Sequence, residues 1–462
     1  MVPKSDELGS RLYRRAFLAS MAAGAGSAAG CLGSSPGDGT GDGGATRGSR
    51  SALTTMVAEE LWSRETGGKI YSSPAVADGE AYIGSLDGRV YAFAEEGANP
   101  GVDEEYPMFK YDLANTSAPP TSGPVTDVTT KWTFETDGRV YATPIIYDGD
   151  LFVGSEDQYI YSISAETGEE NWRVNAGGVI GGTSPTAQDG VVYVPAGSAS
   201  SEFNGRSNGG VIHAFDASTG DEIWSVDLEV GIESAPAVEG DVLYHGCQDH
   251  NFYARDSATG DEIWRFTADD RFCANMAAVK DGLVYAGSLD GKLYALDADD
   301  GSLIWEFDAR GMVVSSAAVA DGMVMFVSGD QNMYAVDADE GQEIWRFEMG
   351  GGGVSSPAYN DGVVYVGSAD EHLYAVDGST GEMLWYFETG GSVGSSPVVA
   401  ENAIYFGSGD RRVYEIKPRE MYDATNESYS DLIEEREREI QNERYNPEEK
   451  EEEILRRVYG NA

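Results

Sequence analysis

The sequence predicts an all-β fold: an eight-bladed β-propeller of four-stranded blades, with an N-terminal signal and tether and a C-terminal helical tail. Three observations predict it. All eight tryptophans (Trp62, Trp132, Trp172, Trp224, Trp264, Trp305, Trp345 and Trp385) fall at one phase of a repeat about forty residues long. Between them the same order of short alternating apolar and polar stretches and turn dipeptides returns, which is the pattern of four strands per repeat. The three-strand sets also number eight, the first starting near Ile70 and the last ending near Tyr414-Glu415-Ile416. The Trp62 strand precedes the first set, so it can complete only the last sheet. Joining the ends in this way leaves no open edge at the junction.

Taken from the N-terminus, residues 1–31 have the layout of a signal peptide. Lys4, Arg11, Arg14 and Arg15 precede a short apolar stretch and small residues up to Gly30. The apolar run is too short to span a bilayer. Arg14 and Arg15, followed by Phe17 and Leu18, resemble the twin-arginine export motif, which implies export of an already folded chain. Cys31, preceded by Ala28-Ala29-Gly30, resembles a lipoprotein cleavage box, which implies lipid on the Cys31 thiol. Ala28 stands where such boxes usually carry Leu. Residues 32–58 are rich in Gly and Ser with few apolar side chains, a flexible tether. The expected location is the extracytoplasmic face of the cell membrane, held by a lipid anchor.

Residues 59–417 carry the repeat. Asp-Gly before the second strand, as at Asp281-Gly282, Asp321-Gly322 and Asp361-Gly362, predicts a tight hairpin, because glycine supplies the positive φ of a primed turn. A Gly-Ser-x-Asp turn follows, with Asp87, Asp157, Asp290 and Asp370, and Thr-Gly closes the last hairpin. The tryptophans are expected between blades. Two long gaps, at about residues 94–130 and 197–209, have the composition of surface loops. Residues 418–462 change to helix formers. Ser430 and Asn446-Pro447 are cap signals, and Ile454, Leu455, Val458 and Tyr459 form an apolar stripe.

The formal charge of −48, from 79 acidic and 31 basic residues, excludes nucleic acid as a partner, since phosphate binding needs clustered Lys and Arg. Hydrophobic content of 41% argues against disorder. The remaining reading is a folded protein with an acidic surface adapted to high salt, where counterions screen self-repulsion. Asn115-Thr116-Ser117 and Asn426-Glu427-Ser428 fit the glycosylation acceptor pattern.

The order Ala-x-Asp, Thr-Gly, Trp (Ala214 to Trp224, Ala254 to Trp264, Ala375 to Trp385) resembles the tryptophan-docking repeat of pyrroloquinoline quinone (PQQ) dehydrogenases. The same repeat builds non-enzymatic propellers such as the outer-membrane assembly factor BamB. The resemblance spans residues 62–417 and is specific for fold. Its quinoprotein branch implies PQQ near the ring axis, calcium, a catalytic Asp and often a vicinal disulfide. This sequence has no Cys-Cys pair and no position onto which the catalytic Asp can be carried. A protein-binding or assembly scaffold with no cofactor, meeting a protein partner at the cell surface, is therefore the leading expectation. A PQQ-dependent oxidoreductase with calcium, or a small-ligand sensor, is the alternative.

Individuality concentrates in the fourth and fifth units. His245, Cys247 and His250 replace consensus residues near one strand end, and Arg271, Phe272, Cys273 and Asn275 open the next unit. Antiparallel pairing should bring both groups toward one face. Cys247 and Cys273 admit three readings: a disulfide, separate buried thiols, or, with the two histidines, a metal site. Arg271 and Arg310 precede equivalent innermost strands and are candidates for an anionic ligand at the channel mouth; His245, His250, Arg271, Asn275 and Arg310 together make a candidate ligand site. His213 and His372 replace ordinary strand residues.

Overall fold

The computed structural model describes residues 56–96, 104–124, 128–197, 209–272, 276–353, 355–401 and 403–420. The export motif, Cys31, the tether up to residue 55, Asn426 and the tail beyond residue 420 lie outside them. The chain divides into two compact units, residues 1–46 with 57–418, and residues 47–56 with 419–462. Of the second unit, only Met56, Arg419 and Glu420 are described, as the ends of two strands.

The described residues form eight antiparallel four-stranded sheets. Seven use consecutive strands; blade 4, for example, runs Ala237–Glu239, Val242–Gly246, Asn251–Asp256 and Glu262–Thr267. In the eighth, the first strand of the chain, Met56–Glu65, lies outside Arg412–Glu420, Ala403–Gly407 and Val398–Ala400. The Trp62 strand thus closes the ring, as the repeat arithmetic requires. The Asp-Gly turns adopt the expected conformation, with Asp281 at φ 53° and Gly282 at φ 79°.

The turn aspartates are consumed by the fold. Asp290 Oδ1 accepts the Lys292 amide at 3.0 Å, and Tyr294 Oη donates to Oδ2 at 2.6 Å. Asp157–Tyr161, Asp370–Tyr374 and Asp410–Tyr414 repeat the pairing.

The tryptophans join neighbouring blades. Trp224 Nε1 donates to Ser257 O of blade 4 at 3.0 Å, Trp264 to Ala298 O of blade 5 at 2.9 Å, and Trp345 to Gly378 O of blade 7 at 2.7 Å. The Thr-Gly element has a steric reason. Gly260 has φ 77°, and a Cβ there would lie 2.8 Å from the Trp224 ring. The motif is a socket in one blade for the indole of the blade before it. Trp62, Trp264, Trp305, Trp345 and Trp385 are buried, whereas Trp132, Trp172 and Trp224 are half-buried.

Strand order gives the ring two distinct faces. One carries the turns between first and second strands and between third and fourth strands. The other carries the remaining turns and the crossings between blades. In the turns of the first face, no Lys or Arg occurs among the described residues except the buried Lys110, while Asp148, Asp189, Asp281, Asp321 and Asp361 are exposed there. Lys69, Arg139, Arg271, Arg310 and Arg411 all belong to the second face.

Candidate functional site

The first long gap corrects the expectation of a surface loop. Residues 104–124 leave blade 1 between its third and fourth strands, on the acidic face, and fill the mouth of the axial channel. The cause lies in backbone hydrogen bonding. The innermost strand of each blade has no neighbour on the axis side, so its central amide needs an acceptor. The segment forms no helix or named strand and therefore has carbonyls to offer.

Tyr106 O accepts the Ile146 amide at 2.9 Å, Pro107 O that of Ala187 at 2.7 Å, and Leu113 O that of Val279 at 2.6 Å. Ala114 O, Thr116 O and Ser117 O accept the amides of Val319, Tyr359 and Val399 at 2.8, 2.9 and 2.8 Å. These amides are the centres of the innermost strands of blades 2, 3, 5, 6, 7 and 8. Both ends of the plug are pinned to the first turn of blade 1. The Glu104 amide donates to Asp78 Oδ2 at 2.7 Å, and Gly79 donates to Ser122 O at 2.8 Å. Lys110, Tyr111, Asn115 and Ser117 all take left-handed φ values, between 54° and 72°, a conformation uncommon for residues with side chains. Asp112 braces the turn by accepting the Thr116 amide at 2.9 Å.

Below the plug, a belt of hydroxyls ties blade to blade. The Ser316 amide donates to Ser356 Oγ, Ser356 to Ser396 Oγ and Ser396 to Ser73 Oγ, each at 2.9 Å. Ser73 continues to Thr143 Oγ1 at 3.2 Å, and Thr143 to Ser184 Oγ at 3.0 Å. Blades 4 and 5 place Ala235 and Met276 at the equivalent positions, so the belt stops there. The plug reaches this level. Asn115 Nδ2 donates to Met276 O at 3.2 Å, and Lys110 Nζ donates to Pro357 O. Burial lowers the Lys110 ammonium to about 7. Asn115 is fully buried with its amide engaged, which closes that glycosylation acceptor in the folded chain.

Blades 4 and 5 bring together part of the predicted cluster. Phe272 N donates to Cys247 O at 3.2 Å, and Ala268 N donates to His250 O at 2.9 Å. Cys247, His250 and Arg271 therefore share the second face. Cys247 is a buried free thiol raised to about 12 by burial and the nearby Asp249. Cys273 and Asn275 lie outside the described residues. Arg310 belongs to the next crossing, with a left-handed φ of 62°. His245 is separate from this surface group. It is fully buried, stacks on Tyr253, and its Nε2 accepts from Arg255 Nε at 2.9 Å. Nδ1 therefore carries the proton and faces Gly246 O at 3.2 Å. Burial and the guanidinium hold the imidazole down at about 3, so it stays neutral. His213 and His372 are partnered within the fold by Glu222 and Asp370.

Sequence reasoning overlooked Arg255 and Glu415. Both had a signal, since a charged residue stands where the other repeats carry an apolar or small one. Glu415 faces Trp62 and Tyr405 at the seam of blades 8 and 1, and burial raises its carboxyl to about 7. The role of plug residues had no such signal.

PQQ with calcium does not fit the described residues. Among the described residues no group of three or more His, Cys, Asp or Glu is placed to hold a metal. The turn aspartates already accept hydrogen bonds, and protein fills one channel mouth.

These features define the class: an eight-bladed propeller of PQQ-like, tryptophan-docked repeats. The chain belongs to the family described as outer membrane protein assembly factor BamB, whose pattern matches residues 126–207, 205–271, 248–354 and 332–421. No curated protein matches it. Among solved structures, BamB from Moraxella catarrhalis is similar at TM-score 0.61 and 17% identity, covering 80% of this chain and 100% of that one. The computationally designed Ika8 protein reaches TM-score 0.60 at 17% identity, covering 77% and 98%. The quinohemoprotein alcohol dehydrogenase ADHIIG of Pseudomonas putida HK5 reaches 0.61 at 15%, covering 80% and 77%. At these identities the likeness is one of fold.

Proposed function

We propose that this protein is a membrane-anchored extracytoplasmic scaffold that binds or assembles other proteins and performs no chemistry of its own. The plug carries the reading: the chain spends its own residues 104–124 on the channel mouth, which leaves two broad, rigid loop faces as working surfaces. The family, described by an assembly factor, supports the same direction. Arg14-Arg15 and Cys31 support export and lipid anchoring, and the acidic composition supports a high-salt environment.

Purified protein titrated with PQQ and calcium should show neither tight binding nor dye reduction, and a stoichiometric membrane partner should co-purify. Turnover with PQQ would sink the scaffold reading. For export, Arg14 and Arg15 changed together to Lys should trap precursor inside the cell; unchanged secretion refutes the twin-arginine route.

A further inference from the structure

The plug does more than close the channel, because its outer surface is hollow. Glu104, Glu105, Pro107, Tyr111, Asp112 and Pro120 are among the residues lining a cavity of about 340 Å³ built from plug residues. It has one sign of charge and a ring beside it. Glu104 and Glu105 are both exposed; the Glu104 carboxylate accepts the Asp78 amide at 3.1 Å, and the half-buried Asp112 accepts the Thr116 amide at 2.9 Å. Prolines and Tyr111 supply apolar wall. An anion is repelled by such a site and a purely apolar group leaves the carboxylates unanswered, whereas a guanidinium satisfies both walls. It pairs with carboxylates through its N–H fork and lies over an aromatic face.

The surroundings select the same occupant. The exposed aspartates of the hairpin turns belong to this face, and the turn and crossing bases Lys69, Arg139, Arg271, Arg310 and Arg411 to the other. Exposed acids such as Asp137 and Glu371 lie on the other face too, but there they are mixed with those bases. At the plug face, by contrast, the exposed Lys280 stands at a strand end outside the turns, so a basic segment is drawn to the more negative plug side. Backbone bonds to six blades hold the cavity open before anything enters it, which reduces the ordering needed on binding.

We infer that the plug cavity is a docking pocket for an arginine side chain presented by an extended basic segment of a partner protein. This inference rests on the scaffold reading and assigns it a face and a partner chemistry.

The test uses the full chain and a fluorescent hexa-arginine peptide, followed by anisotropy at low salt and at about 1 M KCl, where the Debye length is about 3 Å and diffuse attraction is screened. Binding with one site per chain is expected at both salts. Glu105→Lys should weaken it roughly tenfold or more, and Glu105→Gln by a smaller factor. Glu348→Lys, at the second-face end of an outermost strand, should leave the high-salt affinity within about twofold. Circular dichroism checks that each variant is folded. The pocket is overturned if the peptide fails to bind, if binding vanishes at high salt, or if Glu348→Lys weakens it as much as Glu105→Lys does. A partner that still co-purifies with Glu105→Lys refutes the pocket while the scaffold reading stands. PQQ turnover removes the scaffold reading, whatever the peptide does.

Discussion

Blades 4 and 6 share a ladder and differ in what fills it. In blade 6, Phe326 stacks on Tyr334 with centroids 5.6 Å apart, and Val324 faces Val336. Blade 4 puts His245 on Tyr253 at 5.1 Å, and Arg255 opposite Leu243. Both send a tryptophan into the next blade, and both carry the Asp–Tyr turn. The shared residues therefore build the blade, and the substituted ones change its chemistry without altering its backbone. A buried cation beside a neutral imidazole sits where aliphatic packing would do, which is weak as a device for stability.

The largest test asks whether the docks are equivalent. Trp264→Ala and Trp345→Ala should each destabilise by about 3–5 kcal/mol, the usual loss for a buried Trp. Denaturant unfolding at fixed salt measures this, and unequal losses would break the comparison.

The next test concerns acid. His245 titrates near 3 in the fold against 6.5 ordinarily. Between those values the unfolded chain binds a proton that the folded chain refuses, so the contribution of this group falls as pH drops below about 6.5, by at most roughly 1.4 kcal/mol per pH unit, against the opposite slope from Glu415, raised to about 7 from 4.5. Replacing the pair with the blade 6 residues, His245→Phe with Arg255→Val, should flatten that slope in unfolding curves taken across this range. A slope that persists unchanged assigns acid sensitivity elsewhere.

The plug offers a second window that blade 4 does not share. Lys110 is held near 7 against 10.5 ordinarily, so the unfolded chain again binds the extra proton and stability rises as pH climbs through this range. Lys110→Met should abolish that rise and leave the acid slope intact. The smallest effect tests the belt. Ala235→Ser in blade 4 should add about 0.5–1 kcal/mol if its hydroxyl accepts the Ser184 amide. Ser316→Ala should cost a similar or slightly larger amount by leaving the Met276 amide, which donates to it at 2.8 Å, without an acceptor.

The ring was legible because its determinants are local and repeated: a Trp, an Asp-Gly and a Thr-Gly at fixed offsets. The closing strand followed from counting. The buried pair in blade 4 was half legible, since His245 stands out from the repeat while nothing in the repeat ties it to Arg255, ten residues on. The plug was illegible. Its carbonyls answer amides from Ile146 to Val399, partners that no pattern within Glu104–Pro124 encodes. Prolines and small polar residues serve a solvated loop and a channel seal equally well.

Modular rings can breathe one seam at a time, because each module touches mainly its neighbours. The plug changes that motion. It holds six innermost strands by one amide each, so opening any seam strains a segment shared with five others. The amide hydrogens of Ile146, Ala187, Val279, Val319, Tyr359 and Val399 should therefore exchange with solvent at one common slow rate, as a single cooperative unit spread around the whole circumference.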